Sequence, residues 1–150
     1  MPQSLASLHV HLIFSTKHRT ACLTDVVRTS LHAYMGGVLG NMGCRPVLIN
    51  SVEDHVHILF NLSRTLSVGE AVEEVKKSSS KWIKTQGREF AKFGWQAGYA
   101  AFAVSESNVE AVRQYIADQK EHHRQKTFQD ELRQFLKKHQ ITYDEEHLWN

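Results

Sequence analysis

Two histidines, His55 and His57, flank Val56 in an apolar stretch. In a strand, residues two apart point to the same sheet face, so both imidazoles can converge on one ion or phosphate while Val56 faces the other way. By itself such a pair is more often a polar, solvated face. Further along, Tyr115 and Gln119 are spaced i, i+4, which on a helix places them on one stripe, with His122 on the next turn. A tyrosine beside an apolar stripe ordinarily fills a core or an interface. Together the two groups suggest phosphate chemistry. A hard divalent cation, Mg²⁺ or Mn²⁺, held by imidazoles and an amide oxygen keeps open positions for phosphate oxygens, and Tyr115 then stands as a nucleophile toward phosphorus. A phenol with a reference pKa near ~10 must lose its proton as it attacks, and the cation or His122 are candidates to assist. His9-Val10-His11 repeats the dyad spacing earlier in the chain, and three readings stay open for His9 and His11: support behind the ligands, contact with the phosphate-bearing substrate, or plain exposure.

These groups need elements to hold them. Between Ser7 and Thr16, Leu8, Val10, Leu12 and Phe14 alternate with His9, His11, Ile13 and Ser15, the period of a half-buried strand. Thr24 opens a helix with the stripe Val27, Leu31, Tyr34, Met35 and Val38, closing among Gly40, Asn41 and Gly43. Val47–Val52 and Val56–Leu62 read as a hairpin about Glu53-Asp54. Ser67 and Glu70 form a capping box ahead of Val68, Ala71, Val72, Val75, Ser79, Trp82 and Ile83, a long amphipathic helix that Gly87 closes. Trp95–Val104 reads as a fourth strand. A Ser107–Glu110 capping pair then opens a helix through Val109, Val112 and Ile116 into His123. A last helix, Thr127 to about His139, carries Leu132, Phe135 and Leu136, and the tail to Asn150 reads as a docked extension. The order β-α-β-β-α-β plus two helices is the ferredoxin-like split βαβ plan of the α+β class: an antiparallel sheet in order 4-1-3-2, helices on one face, plus C-terminal helices. That plan hosts many unrelated functions.

Asp54-His55-Val56-His57 followed by Tyr115-Ile116-Ala117-Asp118-Gln119 resembles the HUH (His, hydrophobic, His) single-tyrosine transposases of the insertion-sequence 200/605 kind, REP-associated relatives included. His11–Arg19 is similar to the family's first strand and its Thr-Lys-Tyr-Arg end, with His18 in place of the tyrosine. Phe93–Tyr99 resembles its Trp-Gln-x-Gly-Tyr segment, and Tyr143–Trp149 its C-terminal tail. The resemblance implies a metal-dependent DNA strand transferase and endonuclease acting on single strands at the ends of a mobile element. His55, His57 and Gln119 would hold Mg²⁺ or Mn²⁺, while Tyr115 forms a 5′-phosphotyrosine and releases a 3′-hydroxyl. Exchanging one phosphate ester for another retains bond energy, in keeping with a sequence that has no P-loop. The resemblance further implies recognition of DNA hairpins and a homodimer with shared active sites, in which the Tyr115 helix serves the partner's His pair in at least one state. The span Ala103–Asn108 is a candidate hinge for that exchange.

The chain has 150 residues, 18 Lys plus Arg against 16 Asp plus Glu, and a formal charge of +2, which fits one domain (1–150) with an ordinary core. No apolar run approaches the roughly 20 residues of a membrane span, no secretory signal is evident, and the expected compartment is the cytoplasm. Cys22 and Cys44 lack metal-binding spacing and read as free thiols. Lys76, Lys77, Lys81, Lys84 and Arg88 gather beside Trp82, with Lys17 and Arg19 elsewhere, a candidate DNA footprint. With Glu70, Glu73 and Glu74 at the opposite end, the same helix also reads as one whose charges follow its dipole. Alternative readings are an HUH nickase-like endonuclease, a domesticated, non-catalytic DNA or RNA hairpin binder, and a metal-sensing module built on the ten histidines.

Overall fold

Four strands form one antiparallel sheet in the computed structural model, which describes residues 2–150. β1 (His9–Ser15), β2 (Arg45–Ser51), β3 (His55–Asn61) and β4 (Ala100–Val104) are arranged β2-β3-β1-β4, with α1 (Asp25–Asn41) and α2 (Val68–Ile83) as the two crossover helices. This is the split βαβ plan that the element order predicts. Val10, Leu12 and Phe14 of β1 and Val56, Ile58 and Phe60 of β3 meet Leu31 and Met35 of α1 and Val72 and Val75 of α2 in the main core. The capping box of α2 closes with both bonds: Glu70 N–H donates to Ser67 Oγ at 3.0 Å and Ser67 N–H to Glu70 Oε1 at 3.1 Å. After α1, Gly43 takes φ +80°, the left-handed region that only glycine enters without steric cost. Cys22 and Cys44 are free thiols. Among the described residues no helix is long and apolar enough to cross a membrane.

The structure departs from the sequence pattern in several places, among them α2, which ends at Ile83 ahead of Gly87, and α1, where the Thr24 side chain makes no cap bond. β1 is buried along its whole length rather than half-buried, because the C-terminal helix α5 (Phe128–Lys138) covers the second face of the sheet. There Ile13 and Phe102 pack with Phe128, Leu132 and Leu136 in a second, smaller core. The fourth strand starts at Ala100, not Trp95. Trp95 makes a lone bridge to Thr16, and its indole packs edge-on against Phe14 and Phe93. Lys76 Nζ donates to the carbonyls of Gln96 and Gly98 at 2.8 and 2.5 Å, so these oxygens are spent on an ammonium instead of a strand ladder. The Ser107–Glu110 cap does not form. Ser107 lies in a 3₁₀ turn (Glu106–Asn108), and Asn108 precedes α3 (Val109–Ala117) without a side-chain bond. Finally, the helix expected to run into His123 breaks at Asp118 (φ −94°, ψ 19°), separating α3 from α4 (Gln119–His122).

The end of the chain follows expectation. α5 is capped by Thr127, whose side chain accepts from Asp130 N–H at 3.2 Å. The tail docks: Gly98 N–H donates to the Asn150 carbonyl at 2.9 Å, and the guanidinium groups of Arg19 and Arg133 lie over the Trp149 ring.

Candidate active site

β3 places His55 and His57 on the sheet face opposite the main core, where both are fully buried. In register, His57 stands across from Ile13 and His55 across from Ser15, so His11, two residues before Ile13, lies diagonal to His57. Its Nε2 is 2.8 Å from His57 Nδ1. His55 Nδ1 is 2.7 Å from Asp54 Oδ1 in the hairpin turn. Asn50 of β2 donates to the Ile116 carbonyl at 2.8 Å and so moors the C-terminal end of α3 against the sheet. This brings Tyr115 to the His pair, its ring 6.1 Å from that of His57. From above, α5 lowers Glu131 into the group. The Tyr115 hydroxyl donates to Glu131 Oε2, while Glu131 Oε1 lies 2.9 Å from His57 Nε2 and 3.3 Å from Nε2 of both His55 and His123. Gln119 is buried, with Oε1 3.1 Å from His123 Nε2. His122 lies outside this cluster and stacks on the Tyr115 ring at 4.4 Å.

Burial and charge oppose each other here. Burial pushes His57 down to about 4 despite its contact with Glu131, and it holds His11 well below the usual imidazole range. His55 is raised: burial works against its protonation, but the bond to Asp54 and the nearby Glu131 carboxylate outweigh it. Burial also opposes ionisation of Glu131, yet the imidazoles of His123, His55 and His57 around it keep it below the ordinary carboxylate range. Burial first, then the Glu131 charge, raises the Tyr115 phenol far above its ordinary value, so the hydroxyl stays protonated as the site stands.

The family model described as IS200-like transposase matches residues 4–119, which span β1 through Gln119. The chain belongs to the IS200-like transposase family. It is 22% identical over 117 residues to the ISDra2 transposase TnpA of Deinococcus radiodurans, covering 75% of this chain and 84% of that protein. A crystal structure assigned to a transposase of the same organism superposes with a TM-score of 0.62 at 24% identity, over 79% of this chain and 98% of the other. A REP-associated tyrosine transposase bound to a REP hairpin shares the fold with a TM-score of 0.61 at 13% identity, over 82% and 72%.

In this transposase, Tyr115, His55, His57 and Gln119 converge in keeping with their spacing and the resemblance, and His11 lies behind His57. His9 sits farther along β1, buried, 3.3 Å from the exposed Glu106 carboxylate. The basic residues of α2 do not join the site, because α2 packs on the opposite face of the sheet. Lys77, Lys81, Lys84 and Arg88 are exposed there, Lys17 is exposed after β1, and Arg19 is engaged with Trp149. Lys76 is tied down by the 96–98 carbonyls, and burial lowers its ammonium to about 8. Two members of the cluster, His123 and Glu131, lie outside the sequence reading. Glu131 had a signal: it stands three residues after Phe128 and four before Phe135, a carboxylate on the apolar stripe of an amphipathic helix. The implied divalent cation fits this donor set, since the buried His55 Nε2 has no hydrogen-bond partner and faces the other imidazoles and Glu131.

Proposed function

We propose that this transposase cuts and rejoins single-stranded DNA, with Tyr115 as the attacking group and DNA hairpins as its recognition elements. One observation carries the reading: the Glu131 carboxylate meets the Tyr115 hydroxyl with one oxygen and the imidazoles of the His pair with the other. Nucleophile and cation donors thus face each other within one protomer. In the reaction the phenol oxygen attacks the scissile phosphorus and the bond from phosphorus to the 3′ oxygen breaks. The products are a 5′-phosphotyrosine and a 3′-hydroxyl, which gains a proton as the phenol loses one. A divalent cation held by His55 and His57, with Gln119 as the resemblance implies, would supply positive charge for the phosphate oxygens.

The chain's own groups do the rest. Glu131 Oε2 accepts the phenol hydrogen bond and so fixes the direction of the hydroxyl. His122 stacks on the phenol ring and Phe135 meets it edge-to-face, with ring centroids 4.4 and 5.4 Å away. Asp54 and His11 orient the two histidines through their Nδ1 atoms. The bases of α2 that face solvent would hold hairpin phosphates on the sheet face away from the cut. A homodimer with shared sites is part of the proposal, with the Tyr115 helix swinging about Ala103–Asn108 to a partner's His pair.

The test is denaturing gel electrophoresis of the protein with Mg²⁺ or Mn²⁺ and labelled single strands from the flanks of its own gene. Wild type should give a metal-dependent covalent band and Tyr115→Phe none, with hairpin binding nearly unchanged. A band that survives in Tyr115→Phe would show another nucleophile. Salt-sensitive binding with no band in wild type would favour the non-catalytic hairpin binder.

A further inference from the structure

We infer that the cation site is completed from the C-terminal segment, with His123 and Glu131 as donors beside His55 and His57. This rests on the proposed metal-assisted reaction and extends its donors beyond the His55, His57 and Gln119 set. His55 Nδ1 lies 2.7 Å from a carboxylate oxygen of Asp54, and His123 Nδ1 lies 2.8 Å from the Lys126 carbonyl. An ionised carboxylate and a carbonyl only accept, so each ring carries a proton at Nδ1 and, when neutral, a lone pair at Nε2.

Both lone pairs face oxygen. His55 Nε2 and His123 Nε2 each stand 3.3 Å from Glu131 Oε1, and His123 Nε2 is also 3.1 Å from Gln119 Oε1. His57 brings a third Nε2 to the same Glu131 oxygen at 2.9 Å. His55 Nε2, fully buried, makes no hydrogen bond at all. Lone pairs on neutral rings turned toward one buried carboxylate oxygen repel it, and a cation among them converts each into a ligand. Protonating the rings instead would crowd imidazolium charges whose centroids lie 4.4 Å (His55–His123) and 5.2 Å (His55–His57) apart. One donor atom from each of the four residues lies within 4.8 Å of the others, close to the roughly 4.4 Å that ligands about 2.2 Å from a common ion span at most.

Gln119 Oε1, beside His123 Nε2, stands at the edge of the same group. Three imidazoles and one carboxylate favour Zn²⁺, Co²⁺ and Mn²⁺ over Mg²⁺, which takes oxygen donors and keeps its waters. Because Glu131 belongs to α5 and also receives the Tyr115 hydroxyl, the bound ion fastens the C-terminal helix over the nucleophile.

Isothermal titration of the metal-free, full-length protein with each of the four ions, together with the visible spectrum of Co²⁺, tests this without any DNA. The expected order of affinity places Zn²⁺ and Co²⁺ above Mn²⁺, with Mg²⁺ last. Glu131→Gln and His123→Gln, both close in size to the native side chains, should each weaken Co²⁺ binding by at least about tenfold and change its visible bands. Thermal melts of the metal-free variants separate missing ligands from failed folding. Loss of binding in His57→Ala with wild-type binding and spectra in folded Glu131→Gln and His123→Gln overturns the donor assignment and leaves the proposed function standing. Wild-type binding in His57→Ala overturns both.

Discussion

α5 is held to the sheet by a small core of its own, and that makes its attachment separable from the rest of the fold. Leu136 is 5% exposed in the cluster with Ile13, Phe102, Phe128 and Leu132, on the sheet face opposite the larger core. Truncating it to alanine removes buried methyl groups and leaves a cavity, a change that costs about 2–5 kcal/mol. The lower end, about 2 kcal/mol, applies beside an exposed helix flank that can partly collapse. At about 1.4 kcal/mol per tenfold, opening of α5 becomes roughly 30-fold more frequent. Hydrogen–deuterium exchange of the metal-free protein reads this directly: peptides within 128–138 should exchange about 30-fold faster in Leu136→Ala, while peptides of β1 and β3 keep their protection. Equal loss of protection in α5, β1 and β3 would show one cooperative unit and refute the separate docking of α5. Unchanged exchange in α5 would refute the importance of its apolar stripe.

Three further outcomes are expected. His32 is lowered to about 4, by burial first and by the Arg28 charge second, and its Nε2 lies 2.7 Å from Ser51 Oγ. Because its folded value is depressed, the unfolded chain takes the proton first as pH falls below about 6.5, so stability declines between about 6.5 and 4. Discounted for partial exposure, the decline by pH 5 is about 1 kcal/mol, and His32→Gln should flatten that part of a urea-denaturation series; an unchanged slope would discount His32. Replacing Lys77, Lys81, Lys84 and Arg88 together by alanine should reduce the salt slope of hairpin binding by up to about 0.9 for each phosphate these bases neutralise, as measured by fluorescence anisotropy. An unaltered slope would mean that these bases form only a solvated helix face. Mixing Tyr115→Phe with His55→Ala subunits should restore some cleavage if sites are shared in the dimer, whereas silence would leave Tyr115 serving its own His pair, as the geometry has it here.

Much of the fold follows from local physics that a linear sequence expresses. The period of two in β1 and β3, the three- and four-residue steps of α1, the capping box of α2 and the Thr127 cap of α5 each depend on neighbours a few residues apart. The His55–His57 and Tyr115–Gln119 spacings belong to the same class, and their faces can be read without knowing the fold. The 95–99 segment has the extended, aromatic character of a strand without being one. What decides against a strand is Lys76, distant in sequence, capturing its carbonyls.

The alternation in β1 tells which residues share a face but not what covers it. His9, His11, Ile13 and Ser15 have the pattern of a solvated face, and segments distant in sequence bury them: α5 over Ile13 and His11, Glu106 beside His9 and Gln96 at Ser15. The same return puts Glu131 between Tyr115 and the histidines, and the break at Asp118 sends His123 to the donors while His122 stacks on the phenol. Sequence alone therefore determined the strands, the helices and the residue types able to do phosphate chemistry, because those depend on periodicity and local hydrogen bonding. Tertiary structure decided which groups share one small volume. A carboxylate becomes a partner of three imidazoles and a phenol only when a distant helix brings it there and excludes the water that would otherwise solvate each of them.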